Sequence, residues 1–268
     1  MSQQTATFRR LHGGPEPLRL PNAWDAGSAR LFESLGALAI ATTSAGVAWA
    51  LGYPDGGKML ADVAISAATS MARVLSVPLS VDMENGYSDD ANVVGETIRR
   101  LLDAGVAGIN IEDGRDAPGK LAAKIEAIKN AASKSGLDIF VNARTDVFLA
   151  NLVEASKRVD EVLSRGATYR AAGADGLFVP GLRDAPEIIA IVEGVGLPIN
   201  LMAYPGLASA DELGKLSVRR LSSGSGISQM LWGQAERLAR DFLDTGRSES
   251  LAEGSMPYPQ LQALFAGK

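Results

Sequence analysis

The 268-residue sequence has no cysteine and a single histidine, His12. Without cysteine there are no disulfides, thiolate metal sites or cysteine nucleophiles. A cytoplasmic location is the expectation that fits. His12 sits in a Gly/Pro-flanked lead-in. One histidine placed there leaves histidine-ligated zinc and a Ser-His-Asp triad without their parts. No apolar stretch approaches the ~20 residues of a membrane span, and the first residues lack the basic-then-apolar layout of a signal peptide. No membrane association is expected. Charged residues make up 21% of the chain and the net charge is -5, so no nucleic-acid partner is expected either. Any catalysis falls to carboxylates, Lys, Arg, Tyr, Ser, Thr, Asn, backbone amides and a metal ion.

What is present is a repeat. Short apolar runs at 18–22, 37–43, 77–83, 107–112, 139–143, 176–180, 197–202 and 219–223 each end in polar or glycine residues. Between them, apolar spacing near 3.6 predicts helices at 26–35, 61–75, 90–104, 120–133, 153–172, 185–192 and 209–215, with a last one at 227–243. A short helix is read within 1–17. Eight strand–helix units of about 30 residues predict an α/β fold of the (β/α)8 TIM-barrel type. The rival, an open doubly wound sheet, would place a phosphate-binding Gly-rich turn after strand one; the turn here is Asn22-Ala23-Trp24-Asp25-Ala26-Gly27. The domain reading is a barrel over 1–244 with its lead-in, and 245–268 as linker and C-terminal docking helix of the same domain.

In such barrels chemistry gathers at the C-terminal ends of the strands. The stretch Val81-Asp82-Met83-Glu84 puts two carboxylates at one such end. Two unpaired carboxylates at the rim of a core repel and are costly to desolvate, and a hard divalent cation relieves both effects. Barrel closure adds Asp55 and Glu112 and one cation, Arg144, read as otherwise unpartnered. Asp25 is read as a helix N-cap, Asp113 and Asp146 as solvent-facing or capping, and Asn142 as a partner for backbone. The metal candidates are Asp82, Glu84 and Glu112, for Mg2+ or Mn2+ in its stead. The substrate candidates are Thr43, Ser44 and Ala45 through turn amides, Arg144, and Asn200 on strand seven. The catalytic candidates are Asp55, Tyr53, Lys120 and Arg144, with Arg115 or a metal-bound water as other proton carriers. A cation, an Arg and turn amides suit a small oxo-acid carboxylate and stabilise a developing enolate.

These residues resemble the isocitrate lyase / phosphoenolpyruvate mutase superfamily. The matching stretches are Pro21-Asn22-Ala23-Trp24-Asp25, Thr42-Thr43-Ser44-Ala45-Gly46, Leu51-Gly52-Tyr53-Pro54-Asp55, Ser80 to Tyr87, Gly108-Ile109-Asn110-Ile111-Glu112-Asp113 and Asn142-Ala143-Arg144-Thr145-Asp146. The resemblance implies Asp82 on Mg2+, with Glu84, Glu112 and Asp55 holding its waters. It implies a substrate carboxylate on the Thr43–Ala45 amides and substrate oxygens on Arg144. It also implies a C-terminal helix exchanged between subunits of a homotetramer, a dimer of dimers. The departures are as informative. The family's lyases carry Lys-Cys-Gly-His after strand four; here Gly114-Arg115-Asp116-Ala117-Pro118-Gly119-Lys120 stands there. The mutase's Lys and Asn-Ser loop has no clear counterpart, and Val179-Pro180-Gly181 replaces a strand-six histidine. The expectation is a Mg2+-dependent C–C lyase or decarboxylase acting on a small α-oxo or 2-hydroxy acid. P–C bond mutase or hydrolase chemistry and a non-catalytic oxo-acid binder are the alternatives.

Overall fold

The computed structural model describes residues 2–266. Helix α1 (Gln3–Leu11) precedes strands β1 (Leu18–Leu20) and β2 (Asn22–Ala23). There follow α2 (Ala26–Ser34), β3 (Ile40–Thr42), α3 (Ser44–Ala50), α4 (Ala61–Val74), β4 (Leu79–Asp82), α5 (Ala91–Asp103), β5 (Gly108–Glu112), α6 (Pro118–Lys134) and β6 (Phe140–Arg144). The chain continues through α7 (Arg158–Ala171), β7 (Gly176–Phe178), α8 (Ala185–Val195), β8 (Ile199–Met202), α9 (Ala210–Lys215), β9 (Arg220–Ser222) and α10 (Gly226–Thr245). It ends in α11 (Glu249–Ala252) and α12 (Tyr258–Ala263). No helix among the described residues is long and apolar enough to cross a membrane.

Every ladder is parallel, in the order β1-β9-β8-β7-β6-β5-β4-β3-β2. The eight expected runs therefore appear as nine strands, because the first is cut at Pro21. Proline has no N–H to give a ladder, so β1 pairs with β9 while β2 pairs with β3. Across the cut, Ser223 N–H donates to Leu20 O at 3.0 Å and Asn22 N–H donates to Ser223 Oγ at 2.9 Å. The two ends of the sheet order are thus consecutive pieces of one stave, and the sheet is a (β/α)8-type barrel.

Side chains two apart on a strand share a face. Leu79, Val81, Ile109, Ile111, Val141, Ala143, Ile199 and Leu201 belong to the main apolar core. The alternate positions, Ser80, Asn110, Asn142, Asn200, Arg220 and Ser222, are buried and bond to one another across the barrel. The interior of this barrel is therefore polar at mid-height. Its N-terminal end is stopped by α1. Phe8 enters a second apolar cluster with Leu18, Leu20, Ala39, Ala41, Ala107 and Phe140. Arg9 clamps α1 by donating to Asp138 at 2.9 Å and Asp175 at 2.6 Å. His12, buried at the C-terminus of α1, stacks on Phe140 at 4.3 Å between ring centroids.

Candidate active site

At the C-terminal ends of the strands lies a cavity of about 160 Å3. Asn22, Thr43, Ser44, Ala45, Asp55, Asp82, Asn110 and Arg144 line it, together with Ser222, Gly224 and Ser225. Leu149, Phe178 and Met202 give it one apolar wall.

The segment Thr43–Ala45, expected as a turn, is the first turn of α3. Thr43 is its N-cap, and Gly46 N–H donates to Thr43 Oγ1 at 3.4 Å. Gly46 is needed here, since a Cβ would come within 2.7 Å of Thr43 Cγ2 and 3.0 Å of Trp24 Cβ. The unpaired amides at this helix start bring partial positive charge to the cavity. Ser44 is already used this way: its Oγ donates to Asp82 Oδ2 at 2.9 Å and its N–H does so at 3.4 Å.

The loop after β4 is bent at three left-handed positions, Glu84 (φ 48°), Gly86 (φ 89°) and Tyr87 (φ 58°). A left-handed conformation outside glycine is costly, so this loop needs fastening. Lys124 Nζ donates to Asn85 O at 2.7 Å, and Glu112 N–H donates to Glu84 O at 2.9 Å. The buried Glu84 carboxylate accepts from Gly57 N–H and from Tyr87 Oη–H at 3.1 Å. Burial first, then Asp82 and Asp55, push its pKa up against those hydrogen bonds. Desolvation lifts Glu112 to about 8, with Asp82, Asp146 and Glu84 adding to the rise and Arg144 opposing it. Carboxylates raising one another's pKa across three loops define a locus of negative potential.

Arg144 is not the unpartnered cation expected from the sequence. Its Nε and Nη2 donate to Asp146 at 2.7 and 3.1 Å, and its Nη1 lies 2.7 Å from Glu112 Oε2. The last contact is an ion pair off the N–H axis, and Glu112 Oε2 accepts no aligned hydrogen bond among the described residues. Asp146 is thus a partner of Arg144 and not solvent-facing. Asp113 is likewise buried, accepting from Arg165 Nη1 at 2.8 Å, Tyr169 Oη–H at 2.6 Å and the Asp146 amide at 3.0 Å. It ties the ends of β5 and β6 to α7. Asp25 does cap α2, accepting from Ser28 N–H at 2.6 Å.

Of the expected site residues, Thr43, Ser44, Ala45, Asp55, Asp82 and Arg144 share the cavity wall; Glu84, in the loop after β4, and Glu112, at the end of β5 and paired with Arg144, adjoin these residues without lining it. Three do not reach it. Lys120 opens α6 and is held by Asp89 at 2.7 Å and Asp116 at 2.9 Å. Tyr53 turns back towards α3 and α10, lining a separate hollow with Trp49, Gln229 and Trp232. Asn200 lies below the floor, where it donates to Ser222 Oγ at 3.2 Å and accepts from Asn142 at 3.1 Å. Asn142, read as a backbone partner, instead bridges Asn110 and Asn200. Arg115 is exposed. Asn22, Asn110 and Ser222 line the cavity without having been assigned a role. The signal that finds the last two is the alternation of polar and apolar residues within Asn110-Ile111-Glu112 and Arg220-Leu221-Ser222, which places both polar members of each triplet on one face.

The donor set suits a hard divalent cation: all oxygen, mutually repelling, with one buried carboxylate oxygen lacking a hydrogen bond. Among the described residues no three Asp, Glu, His or Cys side chains converge on a single coordination point. Asp82, Glu84 and Glu112 therefore form no closed chelate. An ion here would be held by few protein oxygens, as Mg2+ commonly is.

The family model for phosphoenolpyruvate phosphomutase matches residues 8–243. An uncharacterized protein of Mycobacterium tuberculosis (strain H37Rv) is 37% identical over 96% of this chain and 95% of its own. Oxaloacetate decarboxylase 1 of Pseudomonas fluorescens (strain Pf0-1) is 30% identical over 82% of this chain and 78% of its own. A crystal structure from Burkholderia cenocepacia J2315, provisionally assigned as a phosphonomutase, superposes with a TM-score of 0.85 at 38% identity, covering 89% of this chain and all of that one.

Proposed function

The chain belongs to the phosphoenolpyruvate phosphomutase family, and from that premise we propose that it is a divalent-metal-dependent decarboxylase of a small β-oxo acid such as oxaloacetate. The observation that carries this reading is a cavity lined by Asp55, Asp82, Arg144 and the opening residues of α3, with neither cysteine nor histidine in its wall. When CO2 leaves a β-oxo acid, the C3–C4 bond breaks and its electron pair moves to the C2 oxygen as an enolate. That step needs positive charge at C2–O and an ionised leaving carboxylate; it needs no protein base. Retro-aldol cleavage of a 2-hydroxy acid begins instead with removal of a hydroxyl proton, a task for a base poised near neutrality.

A divalent cation bound beside Asp82 would supply Lewis-acid stabilisation of the enolate. Asp82 would hold that ion, and Asp55, Glu84 and Glu112 would order its water shell. The Ala45 amide in the first turn of α3, next to the Ser44 amide that bonds to Asp82, receives the C1 carboxylate. Arg144, fixed in orientation by Asp146, faces the developing enolate. Leu149, Phe178 and Met202 surround the departing group, where an apolar wall favours neutral CO2 over a carboxylate. A water proton then completes C3.

The test is pyruvate release with Mg2+ from oxaloacetate, phosphonopyruvate and 2-methylisocitrate. Oxaloacetate is expected to turn over, with Asp82→Ala lowering the rate by about 100-fold or more. That variant also corrects for decarboxylation by free Mg2+. A rate equal in Asp82→Ala and the unaltered protein rejects the proposal. The similarity to the B. cenocepacia protein favours a second reading, P–C bond chemistry, which phosphonopyruvate consumption would establish. Oxalate binding without turnover of any acid would instead make the protein a binder.

Assembly belongs to the same proposal. In α10 only Ser228 is buried, while Met230, Leu231, Trp232, Phe242 and Leu243 are about half exposed or more. Single exposed apolar residues are ordinary, but five large ones on a single helix mark an interface. A second copy covers it in a homo-oligomer built as a dimer of dimers, with the barrel of 1–244 docked through 245–268.

A further inference from the structure

Asn110 forms part of the cavity floor and is 4% exposed. Its Oδ1 faces down and is fully engaged, accepting from Asn142 Nδ2 at 2.9 Å and from Arg220 Nη2 at 3.1 Å. Its Nδ2 donates to no acceptor among the described residues, yet it is not sealed in the interior, so it opens on the cavity.

Which end of an amide faces up is decided by its neighbours. Here the deciding neighbour is Arg220, 1% exposed and inside the barrel. Its Nη2 reaches from β9 across to Asn110 on β5 and to Ser80 Oγ on β4 at 3.4 Å, and its Cζ stands 5.6 Å from the centre of the Phe8 ring. Among the described residues it has no carboxylate in ion-pair range, and its Nε and Nη1 have no partner. Burial brings its pKa down to about 9. A guanidinium can only donate, so anything it binds must offer an acceptor. This fixes Asn110 with oxygen down and NH2 up. The same polarity runs on through Asn142, whose Nδ2 also donates to Asn200 Oδ1 at 3.1 Å, and from Asn200 to Ser222 Oγ.

We infer that Asn110 contacts the substrate, donating its amide N–H to an oxygen of the bound oxo acid at the cavity floor, and that Arg220 is the positioning residue that holds the amide this way up. The inference deepens the decarboxylase proposal and rests on it. A free donor beneath the C2 oxygen adds a hydrogen bond that strengthens as negative charge develops there.

Oxalate serves as the probe, a planar dianion with the oxygen spacing of an enolised oxo acid. In Asn110→Asp the side chain keeps its shape and still accepts from Arg220, but it offers no donor upward. Its affinity for oxalate with Mg2+ is expected to fall at least 10-fold with the melting temperature held or raised. Asn110→Ser, which adds no charge, should weaken binding in the same direction. Arg220→Lys keeps a donor-only group, whereas Arg220→Gln lets either end of an amide face Asn110. Lys should therefore recover kcat/KM relative to Gln, chiefly through kcat. Unaltered oxalate affinity in both Asn110 variants overturns the inference while leaving the decarboxylase proposal intact. Equal losses in Arg220→Lys and Arg220→Gln that follow melting temperature overturn the positioning role. Failure of the unaltered protein to bind any oxo acid or oxalate removes the proposed function and this inference together.

Discussion

At the scale of the residue, His12 shows what burial does to the only imidazole. Desolvation lowers its pKa from 6.5 to about 3, and the positive charge of Arg220 acts in the same direction against the hydrogen bond to Phe8 O. Its folded pKa lies below its unfolded value, so its contribution to stability is whole above pH 6.5 and is lost as pH falls towards 3. The loss approaches about 1.4 kcal/mol per pH unit at most. Unfolding midpoints measured from pH 7 to pH 4 should drop, and His12→Phe should flatten that slope while costing some stability at pH 7. An equal slope in the variant would place the acid sensitivity elsewhere. Asp113 makes a related point. Its sequence neighbours allowed a solvated acid, but Arg165 and Tyr169, more than fifty residues away, give it a buried role. Asp113→Ala would leave the Arg165 guanidinium without its buried partner, with only the more exposed Glu161 still bonded to it, and a loss of about 3 kcal/mol in urea titrations is expected.

At the scale of the element, α1 acts as a stopper whose fit depends on a missing side chain. A Cβ on Gly108 would stand 2.7 Å from Phe8 Cε1 and 3.1 Å from Phe140 O. Gly108→Ala is expected to destabilise by about 1–3 kcal/mol in thermal unfolding by displacing α1; a variant as stable as the original would show the Phe8 contact to be slack. Elements also show where the sequence was readable. Period-2 and period-3.6 patterns located most of the strands and most of the helices within a residue or two, because burial imposes those periods directly. Helix α3 escaped because a seven-residue helix has too few turns to display a stripe. The first run was read as one strand, since the effect of Pro21 depends on which neighbours the two halves find. Asp82, Asp55 and Arg144 were legible as polar residues at strand ends, and the cavity does collect them. Lys120 and Tyr53 lie outside the cavity wall because Asp116 and Asp89 hold the one and the hollow beside α10 takes the other, partners that their own loops do not reveal.

At the scale of the whole molecule, the uncovered face of α10 is the feature most in need of a partner. Light scattering at micromolar concentration should give a mass above 28.0 kDa. Trp232→Glu together with Leu231→Glu, at positions that do not line the proposed active site, should lower it towards one chain. A monomer at every concentration would show that α10 meets only solvent or some other protein. Closure of the barrel carries a further consequence through Pro21. The N-terminal half of the first stave has only the last strand as its ladder partner. Parallel pairing over so long a loop is slow to find. During synthesis that short segment must therefore wait, unpaired, until β9 has left the ribosome, and the ring shuts by its final stitch rather than its first.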